Sequence, residues 1–186
     1  VHEDVHDEFL ERLIERTKKI KMGDPSLMES ELGPLATTAQ LAKVESFVES
    51  AKSEGADLVY GGQRPDDPSL TAGWFFMPTI FDRVANSMYL AQEEIFGPVL
   101  GVLKFREEEE AIAMANDTDF GLAAGIWTND VRRAHRVAQE LDAGTVWINM
   151  YRALSYASPF GGYKGSGHGR ELGIEAINEF TQVKSV

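Results

Sequence analysis

The chain has no cysteine among its 186 residues, which excludes disulfides and cysteine-ligated metal. Basic residues are scarce: 18 Lys and Arg stand against 30 Asp and Glu, for a formal charge of −12. Contact with a phosphate backbone needs clustered Lys and Arg. No such cluster occurs, so nucleic acid is not an expected partner. No apolar run reaches the roughly eighteen residues of a membrane-spanning helix, and no charged-then-apolar leader ends in small residues. Neither a membrane span nor a signal peptide is therefore expected. Internal repeats and low-complexity tracts are also missing. At this length a single domain over 1–186 is expected, burying about 70% of its unfolded surface.

What is present is an alternation of helix and strand patterns. It predicts an α/β fold: a three-layer αβα domain with a largely parallel sheet. Asp4 or His6 opens a helix with Phe9, Leu10, Leu13 and Ile14 on one face, closed by Gly23-Asp24-Pro25. A second helix is expected over 38–54, with Leu41, Val44, Phe47, Val48 and Ala51 as its buried stripe and Gly55 as its stop. Strands are expected over 58–60, 74–81, 99–105, 123–127 and 145–149, with a polar loop over 63–73. Helices are expected over 107–114, 131–141 and 173–179. A last strand over 180–186 has no polar tail. Such an edge invites pairing with another chain, so oligomerisation is expected there.

The segment Glu93-Glu94-Ile95-Phe96-Gly97-Pro98 sets two carboxylates and a ring before a Gly-Pro turn. Gly97 can adopt backbone angles closed to other residues, and Pro98 fixes its own φ. A carboxylate there can accept two ribose hydroxyls, and a ring can lie against a flat heterocycle. The same residues also fit an ordinary strand-turn-strand with a core Phe. His2-Glu3-Asp4-Val5-His6 matches HExxH, but it sits where a strand hands over to a helix, so the two histidines would not share a helical face. No metal site is expected. Asn116-Asp117-Thr118 fits a glycosylation sequon and reads better as a helix-to-loop turn. Gly165-Ser166-Gly167-His168-Gly169-Arg170 is not GxGxxG, and Lys164 precedes the glycines instead of following them, so the loop serves close backbone packing and not a phosphate.

Taken with Ser158-Pro159-Phe160-Gly161-Gly162-Tyr163-Lys164-Gly165-Ser166-Gly167-His168-Gly169-Arg170-Glu171-Leu172-Gly173, the Glu93–Pro98 segment resembles the NAD(P)-dependent aldehyde dehydrogenase superfamily. Lys21-Met22-Gly23-Asp24-Pro25, Gly33-Pro34-Leu35, 116–123 and 144–149 agree with it, so the resemblance covers the whole chain. It implies the catalytic-domain fold of that family and NAD or NADP as cofactor. The implied reaction takes a small-molecule aldehyde to a carboxylate, in a cytoplasmic homo-oligomer, a dimer or tetramer. By resemblance Glu94 would bond the nicotinamide ribose and Phe96 would pack near the nicotinamide. Leu154 and Phe160 would line the aldehyde tunnel, and Glu171 is a possible proton relay. Glu171 is equally readable as a helix amino-terminal carboxylate, and Arg152 as either a contact for an anionic substrate or an exposed arginine.

The family's nucleophile is a cysteine and its general base a glutamate, both upstream of the segment that Val1 begins. The expectation is therefore a carboxy-terminal portion of a longer enzyme, with no catalytic residue of its own beyond that relay, and inactive alone. Two alternatives stand beside it: a related reductase acting on acyl phosphates, and a non-catalytic assembly module of the same fold. Which aldehyde is used, and NAD against NADP, are left open.

Overall fold

Thr37 and Gly55 bracket the helix that organises the first half of the chain. The computed structural model describes all residues, 1–186, in two compact units, Val1–Glu107 and Glu108–Val186. The first holds α1 (Glu3–Thr17), α2 (Thr38–Glu54), β1 (Asp57–Tyr60), β2 (Thr79–Asp82), α3 (Tyr89–Gln92) and β3 (Val99–Gly101). The Thr37 hydroxyl accepts from Gln40 N at 3.1 Å, and Gly55 closes α2 in the left-handed region at φ 96°. All five residues of the expected stripe, Leu41, Val44, Phe47, Val48 and Ala51, are buried. They form the core with Ala56, Phe76, Phe81, Val84 and Leu90, and Phe47 stacks on Tyr89 with centroids 4.7 Å apart.

β2 is the central strand of this unit, antiparallel to β1 and parallel to β3. All four of its residues are buried, as befits a strand covered on both faces. It starts at Thr79 and not at Trp74, because Pro78 has no N–H to give a ladder. β3 ends at Gly101, short of the expected 105, and Phe105 instead bridges His2 in parallel. α1 begins one residue after His2, which caps it by accepting from Asp4 N, and it ends at Thr17, well before Gly23. Its apolar face is only partly covered, with Phe9 exposed.

The second unit contains α4 (Glu108–Asn116), β4 (Phe120–Gly121), β5 (Ala123–Ile126), α5 (Val131–Glu140), β6 (Thr145–Ile148), β7 (Tyr163–Lys164) and a 3-10 helix, Ile174–Phe180. β5 and β6 pair in parallel, Ala123 opposite Thr145 through Ile126 opposite Ile148, with α5 as their crossover. Asp130 caps α5 by accepting from Arg132 N and Arg133 N, and these bonds hold its carboxyl below the ordinary range. Glu108 at the start of α4 pairs with Arg133 and Arg136 of α5. β4 pairs antiparallel with β7. Both strands are two residues long, too short for a periodic signal.

The chain is α/β, as expected. Its strands are divided among three small sheets, parallel in β2–β3 and β5–β6 and antiparallel in β1–β2 and β4–β7. The strand expected over 180–186 is corrected. Residues 174–180 form a 3-10 helix, so Phe180 is helical, and 181–186 are exposed and join no sheet. A strand needs a partner for its ladder, and none lies beside this segment within the chain. No helix is long and apolar enough to cross a membrane.

Candidate functional site

The Glu93–Pro98 segment is held by α2. Gln40 Nε2 donates to Ile95 O at 2.8 Å and to Phe96 O at 2.9 Å. One turn on, Lys43 Nζ donates to Glu94 O at 2.7 Å. Ile95 packs on the core, and Thr79 N donates to Pro98 O at 2.8 Å, so the segment is tied to β2 as well. The left-handed residue is Phe96 itself, at φ 56°. Gly97 serves another purpose: a Cβ there would stand 2.4 Å from Val44 Cγ2. The glycine lets the turn lie flat on α2, and its neighbour takes the unusual backbone.

The consequence is a presented ring. Phe96 is 72% exposed, so the reading of it as a core aromatic is overturned. Glu94 is exposed too, and its carboxylate makes no hydrogen bond within the chain. A free carboxylate and an outward ring on a backbone fixed by three side-chain hydrogen bonds can accept a diol and cover a flat heterocycle. Gln40 and Lys43 were missed in the sequence. Their signal was polar residues at i and i+3, flanking the apolar stripe of α2.

In the second unit, β6 delivers the loop that carries Leu154. Trp147 Nε1 donates to Ala153 O at 2.7 Å, and its ring meets Tyr151 edge-on at 5.3 Å. Asn149, at φ 53°, exchanges two hydrogen bonds with the Thr128 backbone, each 2.9 Å. Gly173 N donates to Tyr156 O at 3.0 Å and closes the loop. Leu154 is 59% exposed. Phe160 and Glu171 are brought together as partners in an antiparallel bridge, with N–H···O distances of 2.7 and 2.8 Å. Glu171 therefore sits in a bridge ahead of the 3-10 helix and not in a helix's first turn, which removes its dipole reading. Glu94 and Phe96 belong to one unit; Leu154, Phe160 and Glu171 belong to the other.

The glycine-rich loop is built for backbone proximity. A Cβ on Gly161 would stand 2.2 Å from Gly169 O, and one on Gly165 would stand 2.8 Å from Asp119 O. Its cations already have acceptors. Arg170 donates to the carbonyls of Gly162, His168 and Gly169, and Lys164 Nζ to those of Asn116 and Thr118. Asn116, the sequon residue, uses its amide to bond Glu140 O and Asp142 N.

The HExxH residues are likewise committed elsewhere. His2 caps α1 and Glu3 pairs with Arg106. His6 is buried, with Nε2 2.7 Å from Asp82 Oδ1 and Nδ1 2.7 Å from Asp7 Oδ1. Its role is to fasten α1 to β2. The hydrogen bond from His6, aided by the Lys104 charge, holds the Asp7 carboxyl below its ordinary value.

Comparison with known proteins agrees in sequence and in fold. A betaine aldehyde dehydrogenase of Brucella anthropi is 50% identical over all 186 residues, which make up 38% of that protein. A betaine aldehyde dehydrogenase of Staphylococcus aureus, solved in complex with NAD+, superposes with a TM-score of 0.94 at 45% identity, covering 97% of this chain and 36% of that one. An aldehyde dehydrogenase of Bacillus cereus gives 0.93 at 44% identity, covering the whole of this chain and 37% of that one. The chain thus spans little more than a third of the length of the relatives it matches. A family model described as the aldehyde dehydrogenase family matches residues 1–186, and the chain belongs to that family.

Proposed function

We propose that the chain is a catalytic-domain portion of an NAD-linked aldehyde dehydrogenase. The whole protein would convert an aldehyde, water and NAD+ to a carboxylate, NADH and two protons. The observation that carries this reading is the Glu94–Phe96 presentation: an unpartnered carboxylate and an exposed ring on a pinned, left-handed turn. These groups fit a nicotinamide riboside. Glu94 would accept the ribose hydroxyls through charge-assisted bonds, about 1.5–3 kcal/mol each, and Phe96 would cover the nicotinamide. The choice of NAD is supported by the NAD+ in the Staphylococcus aureus enzyme.

NAD, when bound, supplies the acceptor for the two electrons that leave the aldehyde carbon. This chain's own residues position and exclude. Leu154 and Phe160 would line the aldehyde side with apolar surface, leaving selection to shape. Glu171, fixed by its bridge to Phe160, would relay a proton between the site and solvent. With no cysteine here, the nucleophile and its general base come from elsewhere in the full-length protein, and the 186 residues alone are inactive. We place the enzyme in the cytoplasm as a homodimer or homotetramer. The exposed Ile174, Ile177, Phe180, Val183 and Val186 support assembly through the last segment.

The test is aldehyde-dependent NADH formation at 340 nm by the full-length protein, with Glu94→Gln as the variant. The variant should bind NAD about tenfold more weakly, as loss of one charge-assisted bond requires. Unchanged NAD affinity and turnover would remove Glu94 from the site. An immunoblot of the source lysate addresses the assembly-module reading: a sole band at 20.6 kDa would favour that reading over the enzyme.

A further inference from the structure

We infer that the loop ending in Leu154 selects aldehydes that carry an anionic group at the far end, through Arg152, and disfavours cationic ones. The inference rests on the aldehyde dehydrogenase reading above and adds the substrate class.

The first observation is electrostatic. The chain carries 30 acidic residues and a net charge of −12, yet between Asp142 and Glu171 there is no Asp or Glu at all. That stretch contains β6, the Leu154 loop and Phe160. Its charged side chains are Arg152, Lys164 and Arg170, with His168 beside them. Lys164 lies 3.5 Å from Asp142 Oδ2 and donates to two carbonyls, and Arg170 is spent on three carbonyls. Arg152 has no ion pair and no hydrogen bond. Of the other arginines, Arg12, Arg16, Arg83, Arg106, Arg133 and Arg136 pair with carboxylates and Arg64 donates to two carbonyls, while Arg132, on the exposed side of α5, is likewise unpaired but lies outside this loop.

The second observation is conformational. Arg152 stands at φ 59°, a left-handed backbone that costs a non-glycine residue stability and persists only where its surroundings impose it. The surroundings here are its two neighbours: the Tyr151 ring against Trp147, and Ala153 O bonded to Trp147 Nε1. The indole thus fixes the residues on both sides of an unpaired guanidinium. Two residues on comes Leu154, with at most about 7 Å between the two Cα atoms.

A guanidinium is a planar fork that matches a carboxylate with two hydrogen bonds. Two residues from Leu154, which the proposed function sets on the aldehyde side, it would attract an anion and repel a quaternary ammonium. An ω-carboxy aldehyde satisfies both ends, with the carbonyl inward past Leu154 and Phe160 and the carboxylate at Arg152. The expectation therefore departs from what the names of the Brucella and Staphylococcus relatives say those proteins act on.

The full-length enzyme is assayed with NAD and three aldehydes: 5-oxopentanoate, pentanal and betaine aldehyde. The expected kcat/KM order is 5-oxopentanoate first and betaine aldehyde last, with the carboxylate worth about ten- to a hundredfold over pentanal. Arg152→Gln should lower the ratio of 5-oxopentanoate to pentanal by at least about tenfold, mostly through KM, and Arg152→Lys should restore part of it. An unchanged ratio in Arg152→Gln, or betaine aldehyde as the best substrate of the parent, overturns the inference. Absence of NADH with all three aldehydes would instead overturn the enzyme reading itself.

Discussion

Replacing Gln40 and Lys43 together by alanine should loosen the proposed cofactor side of the site without touching either group proposed to meet the cofactor. Three hydrogen bonds are lost: two from Gln40 Nε2 to Ile95 O and Phe96 O, and one from Lys43 Nζ to Glu94 O. Neutral hydrogen bonds contribute about 0.5–1.5 kcal/mol each net of water. The Gln40 pair is therefore worth about 1–3 kcal/mol. The Lys43 bond adds less than its charge suggests, because both ends are exposed and screened. Against them stands the left-handed backbone of Phe96, which costs about 1–2 kcal/mol. The two sides are of similar size, so without the tethers the presented ring is no longer the favoured state. Restoring it on binding would cost about 1–2 kcal/mol, which weakens NAD binding about five- to thirtyfold. Isothermal titration of NAD into the full-length enzyme reads this directly. Lys52→Ala is the control, on the same helix and paired only with Glu49. NAD affinity of the double variant within twofold of the parent would refute the claim that α2 holds the site.

Gly97→Ala should destabilise by about 1–3 kcal/mol, since the new Cβ meets Val44 Cγ2 at 2.4 Å in a filled core. Combining it with Val44→Ala should cost less than the two single changes added, and simple additivity in thermal unfolding would count against the contact. His6→Ala should cost about 3 kcal/mol or more in denaturant unfolding, because it empties a buried site and strands the Asp82 carboxylate; a loss under about 1 kcal/mol would refute the fastening role. Asp7 is held below its ordinary value of 3.8 by His6 and Lys104. With the folded value depressed, its contribution is present above pH 3.8 and is lost as pH falls through the folded value. Asp7→Asn should therefore flatten the acid limb of melting temperature against pH, and superimposable limbs would contradict it.

What the sequence made legible was local. Helix α2 was readable to the residue because its stripe and its glycine stop both lie within one continuous segment. The β5–α5–β6 crossover was readable for the same reason. What escaped it was set by partners far along the chain. His6 meets Asp82, 76 residues away, and the same histidine read in isolation looked like half of a metal motif. The end of the chain misled in the opposite sense. Residues 180–186 carry strand-like composition, but a strand exists only with a neighbour, and composition alone cannot supply one.

The Phe96-Gly97 pair shows why the site itself was only half readable. Propensity assigns the left-handed backbone to glycine, because glycine alone adopts it without a Cβ penalty. Packing assigns it differently here. Val44 is fully buried on α2 and leaves no room for any side chain at position 97. The glycine is consumed by that contact, so the turn's positive φ falls on Phe96, and Gln40 offsets its cost by donating to the Phe96 carbonyl. An aromatic ring forced out of the core in this way needs something to cover it. The orientation of the proposed cofactor contact is therefore a property of how α2 packs, and substitutions along Gln40, Lys43 and Val44 should alter cofactor binding before any change to the Glu94-Phe96 motif is made.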